Sequence, residues 1–262
     1  MKRYLIGLLM LGTAACTDTQ AQSLEKQANN PLANMISLNF HNNYAPKLTD
    51  ASSDAYINTT WVRLAVPAAK GKLLFRVSAP IVSLGTPLTG TNTVKSQNGL
   101  GDINAFMSYN FVAETDKTIG IGPLISAPTA TNNALGSQKW QGGVAFVAFF
   151  CKSPVFQYGG LVTWQKSFAG SNTRIDAESL AVQPFAMVQL GKGFYMKSSA
   201  TWVFDMLSDS YSVPLSLGVG KVVKVHNVAF NFFIEPQYAV LHNGVHPQFQ
   251  LNMGANIQFL KK

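Results

Sequence analysis

From about residue 34 onward the chain repeats one pattern, with apolar side chains at every second position in runs separated by turn-forming residues. The last run, QFQLNMGANIQFL (248–260), shows it most plainly. Phe249, Leu251, Met253, Ala255, Ile257 and Phe259 fall on one face; Gln248, Gln250, Asn252, Gly254, Asn256 and Gln258 fall on the other, with no charge among them. Alternation at every second residue is the period of a β-strand, whose side chains point to opposite faces. The pattern predicts twelve strands, near 34–44, 57–68, 72–82, 101–113, 118–127, 140–150, 154–165, 177–190, 193–206, 211–222, 227–241 and 247–260. Most are longer than the roughly five or six residues common in globular sheets, and they suit a tilted crossing of a bilayer.

The connections alternate as well. AAKGK (68–72), ETDKT (114–118), CKSP (151–154), LGKG (190–193) and KVHN (224–227) read as tight hairpins, and the connections between them are mostly longer. Short turns on one rim and longer loops on the other are the habit of bacterial outer-membrane barrels. Within the strands, Val228, Phe230, Phe232, Ile234, Pro236, Tyr238 and Val240 are expected outward, with Asn231, Glu235 and Gln237 inward. The runs at 118–127 and 140–150 alternate less clearly, because glycine and apolar residues occupy both faces. Aromatics near strand ends (Trp140, Phe150, Phe156, Trp164, Phe194, Phe204 and Phe259) fit interfacial girdles.

Composition narrows the choice between a protein core and lipid. Only 12% of the residues are charged, against about 25% in an ordinary soluble domain, and no internal run approaches the roughly 20 apolar residues of a spanning helix. The N-terminus, MKRYLIGLLMLGTAACTDTQAQS, has a basic start at Lys2 and Arg3 and a short apolar stretch, which reads as a secretory signal peptide cleaved after Ala21. A lipoprotein alternative would acylate Cys16. The division expected is a signal peptide at 1–21, a short periplasmic segment at 22–32 and a barrel at 33–262. The net charge of +8 is spread over turns, loops and the Lys261–Lys262 tail, which does not make a nucleic-acid stripe. After cleavage only Cys151 remains, so no intramolecular disulfide forms. The expected fold is an all-β, antiparallel, up-and-down transmembrane barrel of twelve strands in the bacterial outer membrane, with outer-membrane lipid as its surroundings. A soluble secreted β-barrel is the alternative fold.

Asn252, Gly254, Ile257 and Phe259 form a polar-x-Gly-x-x-apolar-x-aromatic pattern that looks like the C-terminal signal read by bacterial barrel-assembly machinery. The chain also resembles a known family. LANMISL (32–38), NGLGDI (98–103), IGIGPLISAPTATNNALGSQKW (119–140), KSFAG (166–170), QPF (183–185) and SVP (212–214) are similar to the outer-membrane family labelled MetA-pathway of phenol degradation, some members of which are mislabelled neuromedin U. QGGV (141–144) departs from the Gly-Ala-Gly-Pro-like turn expected there. The resemblance implies a transporter of small organic molecules and brings no catalytic residues with it.

Six charged side chains fall at inward parity: Arg63, Arg76, Asp102, Lys197, Asp205 and Glu235. Arg63 and Arg76 flank the Lys70-Gly71 turn, which makes them direct or diagonal cross-strand neighbours. They form either a cationic constriction that selects anions or a structural network with Asp102 or Glu235. Phe106, Leu124, Phe149, Leu161, Phe185 and Phe233 are apolar at inward parity and either line a path or fill the lumen. Asp102, after Gly99 and Gly101, also reads as a turn cap. His242 and His246 are four apart, but in a hairpin loop rather than on a helix. No nucleophile triad, paired carboxylates, metal-ligand spacing or phosphate loop stands out, so neither catalysis nor a cofactor is expected. Three functions are compatible with this: a channel or facilitator for small organic, aromatic or anionic molecules; a closed structural, adhesive or lipid-handling barrel; and a rim hydrolase.

Overall fold

Lipid on one side and water on the other would make a strand's apolar face an outer wall, and the structure has that arrangement. The computed structural model describes residues 28–30, 34–51, 54–88 and 93–260. The expected signal peptide, Cys16, most of the 22–32 segment and the Lys261–Lys262 tail lie outside the described residues. The strands are β1 (Ile36–Leu48), β2 (Tyr56–Ala68), β3 (Leu73–Pro87), β4 (Val94–Leu100), β5 (Ile103–Ala113), β6 (Lys117–Ala127), β7 (Lys139–Phe150) and β8 (Phe156–Gly170). They continue as β9 (Glu178–Gly191), β10 (Phe194–Ser198), β11 (Trp202–Asp205), β12 (Tyr211–Ser216), β13 (Gly218–Val225), β14 (Val228–Asn243) and β15 (Pro247–Phe259). Three consecutive pairs, β4–β5, β10–β11 and β12–β13, are halves of single staves, so the fifteen segments make twelve staves.

Each stave pairs antiparallel with its neighbours, and β15 pairs with both β14 and β1, from Ile36 opposite Phe259 to Leu48 opposite Pro247. The sheet therefore closes on itself and leaves no free edge, a condition for crossing lipid with strands. No helix among the described residues is long and apolar enough to span a membrane. The tight connections, such as Ala69–Gly71 and the Lys192–Gly193 turn, share one rim with the first and last strand ends. By the habit of such barrels this rim is periplasmic.

The outer wall is a belt of apolar side chains. Leu64, Phe75, Val77, Ile121, Ile125, Phe232 and Ile234 are all exposed, more contiguous apolar surface than a soluble monomer tolerates. Stacked rings mark its margins: Phe150 and Phe156 on Tyr158 at the short-turn rim, Phe204 on Tyr211 at the other. Inward positions on the same strands are buried and polar, among them Ser78, Ser108, Asn110, Asn231 and Gln237.

Two staves are interrupted side by side, at 199–201 and at Leu217. Backbone groups freed from a ladder need other partners. Here Ser199 N–H donates to Glu235 Oε1 at 2.5 Å and to the Ser216 hydroxyl at 3.1 Å, while Gln183 Nε2 donates to the Ser199 carbonyl at 2.9 Å.

Candidate functional site

The lumen is built from rows of inward side chains that run around the wall, one per strand. In one row Tyr195 is opposite Gly220, Gly220 opposite Phe233, Phe233 opposite Gly254, Gly254 opposite His41, and His41 opposite Trp61. Rings alternate with glycines because the rings lie flat over them. A Cβ on Gly254 would sit 2.6 Å from the Phe233 ring and 2.7 Å from His41. The His41 ring then meets Phe233 edge-on, with centroids 5.0 Å apart.

The next row carries the charges. Lys197 is opposite Gly218, which precedes the Val219–Ile234 pair, and Glu235 is opposite Asn252. Gly218 leaves the gap over which Lys197 reaches, across two strand spacings, to place Nζ 3.2 Å from Glu235 Oε2. Glu235 is fully buried and also accepts hydrogen bonds from Ser216 Oγ at 2.7 Å, Ser199 Oγ at 2.9 Å and Asn252 Nδ2 at 3.2 Å. A buried ion pair is tolerable when its remaining valences are satisfied in this way. The ammonium also lies 3.8 Å from the Phe233 centroid. Lys197 and Glu235 thus neutralise each other.

The two arginines are different. Arg63 is opposite Ser78, and Arg76 is opposite Ala65, which makes them diagonal neighbours on the inner wall. Neither has a carboxylate within salt-bridge distance among the described residues. Arg63 Nη1 donates to His41 Nδ1 at 2.8 Å, and His41 Nε2 is 2.7 Å from Asn256 Oδ1. Those partners fix the histidine tautomer with its proton on Nε2, so it brings no charge of its own. Arg63 stacks on Trp61 and Arg76 on Phe106, at 4.8 and 4.3 Å, and the buried Arg76 Nε has no hydrogen-bond partner among the described residues.

Of the six charged residues placed inward by parity, four meet here: Arg63, Arg76, Lys197 and Glu235. The other two sit elsewhere. Asp102 caps a loop by accepting from Ala130 N–H and Ser137 N–H, and Asp205 caps its turn through Leu207 N–H and Ser208 Oγ. The C-terminal residues also take definite places: Asn252 holds Glu235, Gly254 floors the aromatic row, and Phe259 faces outward at the short-turn rim. Sequence reasoning did not single out His41, Tyr195, Ser199 or Gly218. The alternation of aromatic and glycine in matched registers was the signal available for Tyr195.

A cavity of about 470 Å³ occupies the mid-lumen, and a second of about 240 Å³ leads from it toward His246 and Pro247 at the long-loop rim. They share His41, Arg63, Gln183, Ser199, Thr201 and Asn252. The periplasmic end is narrowed by bulky side chains that border the larger cavity. Phe149, Phe185 and Met187 pack together, and Leu74 meets Val147. Residues 28–30, expected below the barrel, lie within it: Asn231 Nδ2 donates to Asn29 Oδ1 at 2.9 Å, and Gln258 Nε2 donates to the Ala28 carbonyl at 2.8 Å. No group of three metal-ligating side chains occurs among the described residues.

A closed barrel with a lipid-facing apolar belt and a polar lumen is an outer-membrane β-barrel. No family model and no curated protein matches the chain. Solved structures do. An outer membrane channel from Pseudomonas putida F1 is similar over 86% of this chain and 96% of its own, with a TM-score of 0.62 at 14% identity. The NanC porin is similar over 86% of this chain and 100% of its own, with a TM-score of 0.51 at 9% identity. At these identities the likeness is one of fold.

Proposed function

We propose that this barrel is a passive pathway, channel or facilitator, for small organic molecules across the outer membrane, with a preference for anions set by Arg63 and Arg76. The observation that carries the reading is a pair of cavities leading from the long-loop rim to two arginines that have no acidic partner among the described residues. Lys197 and Glu235 cancel, so the mid-lumen field is that of two guanidinium groups, and a ring of fixed cations in a narrow polar pore favours anions. The fold shared with an outer membrane channel and a porin agrees with transport rather than catalysis. The resemblance to the phenol-degradation family points to organic and aromatic solutes. In the same reading, the last strand is the segment that barrel-assembly machinery recognises, through Asn252, Gly254, Ile257 and Phe259.

Single-channel recording of the refolded protein in a planar bilayer tests this. Stable currents with a reversal potential on the anion side are expected, and replacing both arginines by glutamine shifts that potential toward cations. A second reading, a closed structural, adhesive or lipid-handling barrel, is favoured by the bulky apolar side chains that narrow the periplasmic end. Silence from a correctly folded barrel would select it and end the channel reading.

A further inference from the structure

Buried charge without a counterion is costly. Two guanidinium groups on diagonal positions repel each other, and the wall around them offers histidine, serine and aromatic neighbours but, among the described residues, no carboxylate within ion-pair distance, since Glu235 is taken by Lys197. Lys197, one row away, shows how this wall neutralises a cation it has no further use for, with a glycine gap and a fully hydrogen-bonded glutamate. Among the described residues, Arg63 and Arg76 lack that treatment, and nothing accepts from the buried Arg76 Nε.

What lies beside them is apolar. Arg76 is directly opposite Phe106, and Phe106 is directly opposite Leu124. Phe106 and Leu124 cluster with Ala145 and Leu161, while Ala65, Leu74 and Val147 form an apolar floor on the periplasmic side. The mid-lumen is thus a cavity with two forked cationic donors on one side and a ring-lined wall next to them. An inorganic anion would leave that wall in contact with water. An uncharged aromatic would leave the two guanidinium groups unanswered.

We infer that the mid-lumen holds a binding site for one small aromatic carboxylate, with its oxygens on Arg63 and Arg76 and its ring against Phe106 and Leu124. This rests on the pathway reading above and gives it a substrate class. Arg63 keeps one nitrogen on His41, which fixes its fork toward the cavity, and Arg76 brings its unpartnered Nε edge. Planar carboxylates match such forks two bonds at a time.

The experiment is isothermal titration of the folded barrel in detergent with benzoate, benzyl alcohol and acetate. Benzoate is expected to bind saturably, one per barrel, about tenfold or more tightly than the other two, since charge-assisted bonds and ring contact each contribute about that factor. Arg63→Gln and Arg76→Gln should each weaken benzoate about tenfold. The lysine replacements, which keep the charge and lose the fork, should weaken it less and guard against misfolding. Lys221→Gln, at the rim, should change nothing. Equal binding of benzoate and benzyl alcohol, or benzoate binding indifferent to both glutamine variants, overturns the site. Conductance measured alongside separates the two claims. Currents without saturable binding discard the site and keep the pathway; binding without currents keeps the site and discards the pathway.

Discussion

The lumen has two halves that solve opposite problems with the same kind of wall. The long-loop half is lined by small and polar side chains, such as Asn104, Ser126, Ser179 and Thr201, and encloses space. The periplasmic half is narrowed by Tyr195, Phe149, Phe185 and Leu74 and by residues 28–30, and all of these except Phe149 border the same cavity from below. Between them lies the charged row. The difference teaches that strand number alone does not set openness in a barrel of this size. Side-chain volume at inward positions does, and here it changes along the axis.

The charged row is the boundary, and breaking it should have the largest effect. Glu235→Ala leaves Lys197 unpaired beside two arginines and leaves the Ser199 N–H with only the Ser216 hydroxyl as acceptor. A loss of about 3–5 kcal/mol is expected for a broken buried pair, read as a lowered urea midpoint in the heat-modifiability assay; an unchanged midpoint would show that this row does not brace the wall. Next, Tyr195→Phe removes the hydroxyl that donates to Asn231 at 2.6 Å. About 1–3 kcal/mol is at stake, and the N-terminal residues held by Asn231 should loosen, so conductance should rise. A variant no more conductive than the parent would mean that the narrowed half is closed by other groups.

The smallest effect lies outside both halves. Asp176, in the 171–177 loop, is held below its ordinary carboxylate range, first by a hydrogen bond from Lys139. A depressed folded value means that the anchor is in place at neutral pH, and is lost in acid as the pH falls through that value. Asp176→Asn should speed proteolysis of this loop at neutral pH and leave conductance unchanged; equal cleavage rates would dismiss the anchor.

Much of the fold was legible because lipid imposes its period on the outer face. Twelve staves, the order of short and long connections, and the outward set Phe232, Ile234, Tyr238 and Val240 are all as the alternation predicts. Alternation fails where both faces meet water. β1 continues to Leu48 and β3 to Pro87, beyond the predicted ends at 44 and 82, and β4 (Val94–Leu100) runs through what read as loop. VKSQNGL has no apolar face to betray a strand. Inward parity also gave less for Asp102, which lies between β4 and β5 and caps a loop as its turn-cap reading has it, and for Asp205, the last residue of β11, which turns to cap the 207–208 backbone.

At the site, the diagonal of Arg63 and Arg76 followed from one tight turn. The pairing of Lys197 with Glu235 did not, because it needs the registers of three strands and the absence of a side chain at Gly218. Nothing in residues 28–30 marks them as lumenal. Their place depends on Asn231 and Gln258, which the β14–β15 hairpin brings together far along the chain, 202 and 230 residues from the atoms they hold.

That last dependence constrains how the molecule is made. Gln258, two residues before the end of the described chain, holds the carbonyl of Ala28, the first described residue. The β15 strand that supplies Gln258 also zips the seam against β1. A chain synthesised from its N-terminus therefore makes residues 28–30 early and their partner Gln258 late. The segment must wait, unseated, until the final strand arrives, so the strand that seals the wall is also the one that completes the seat.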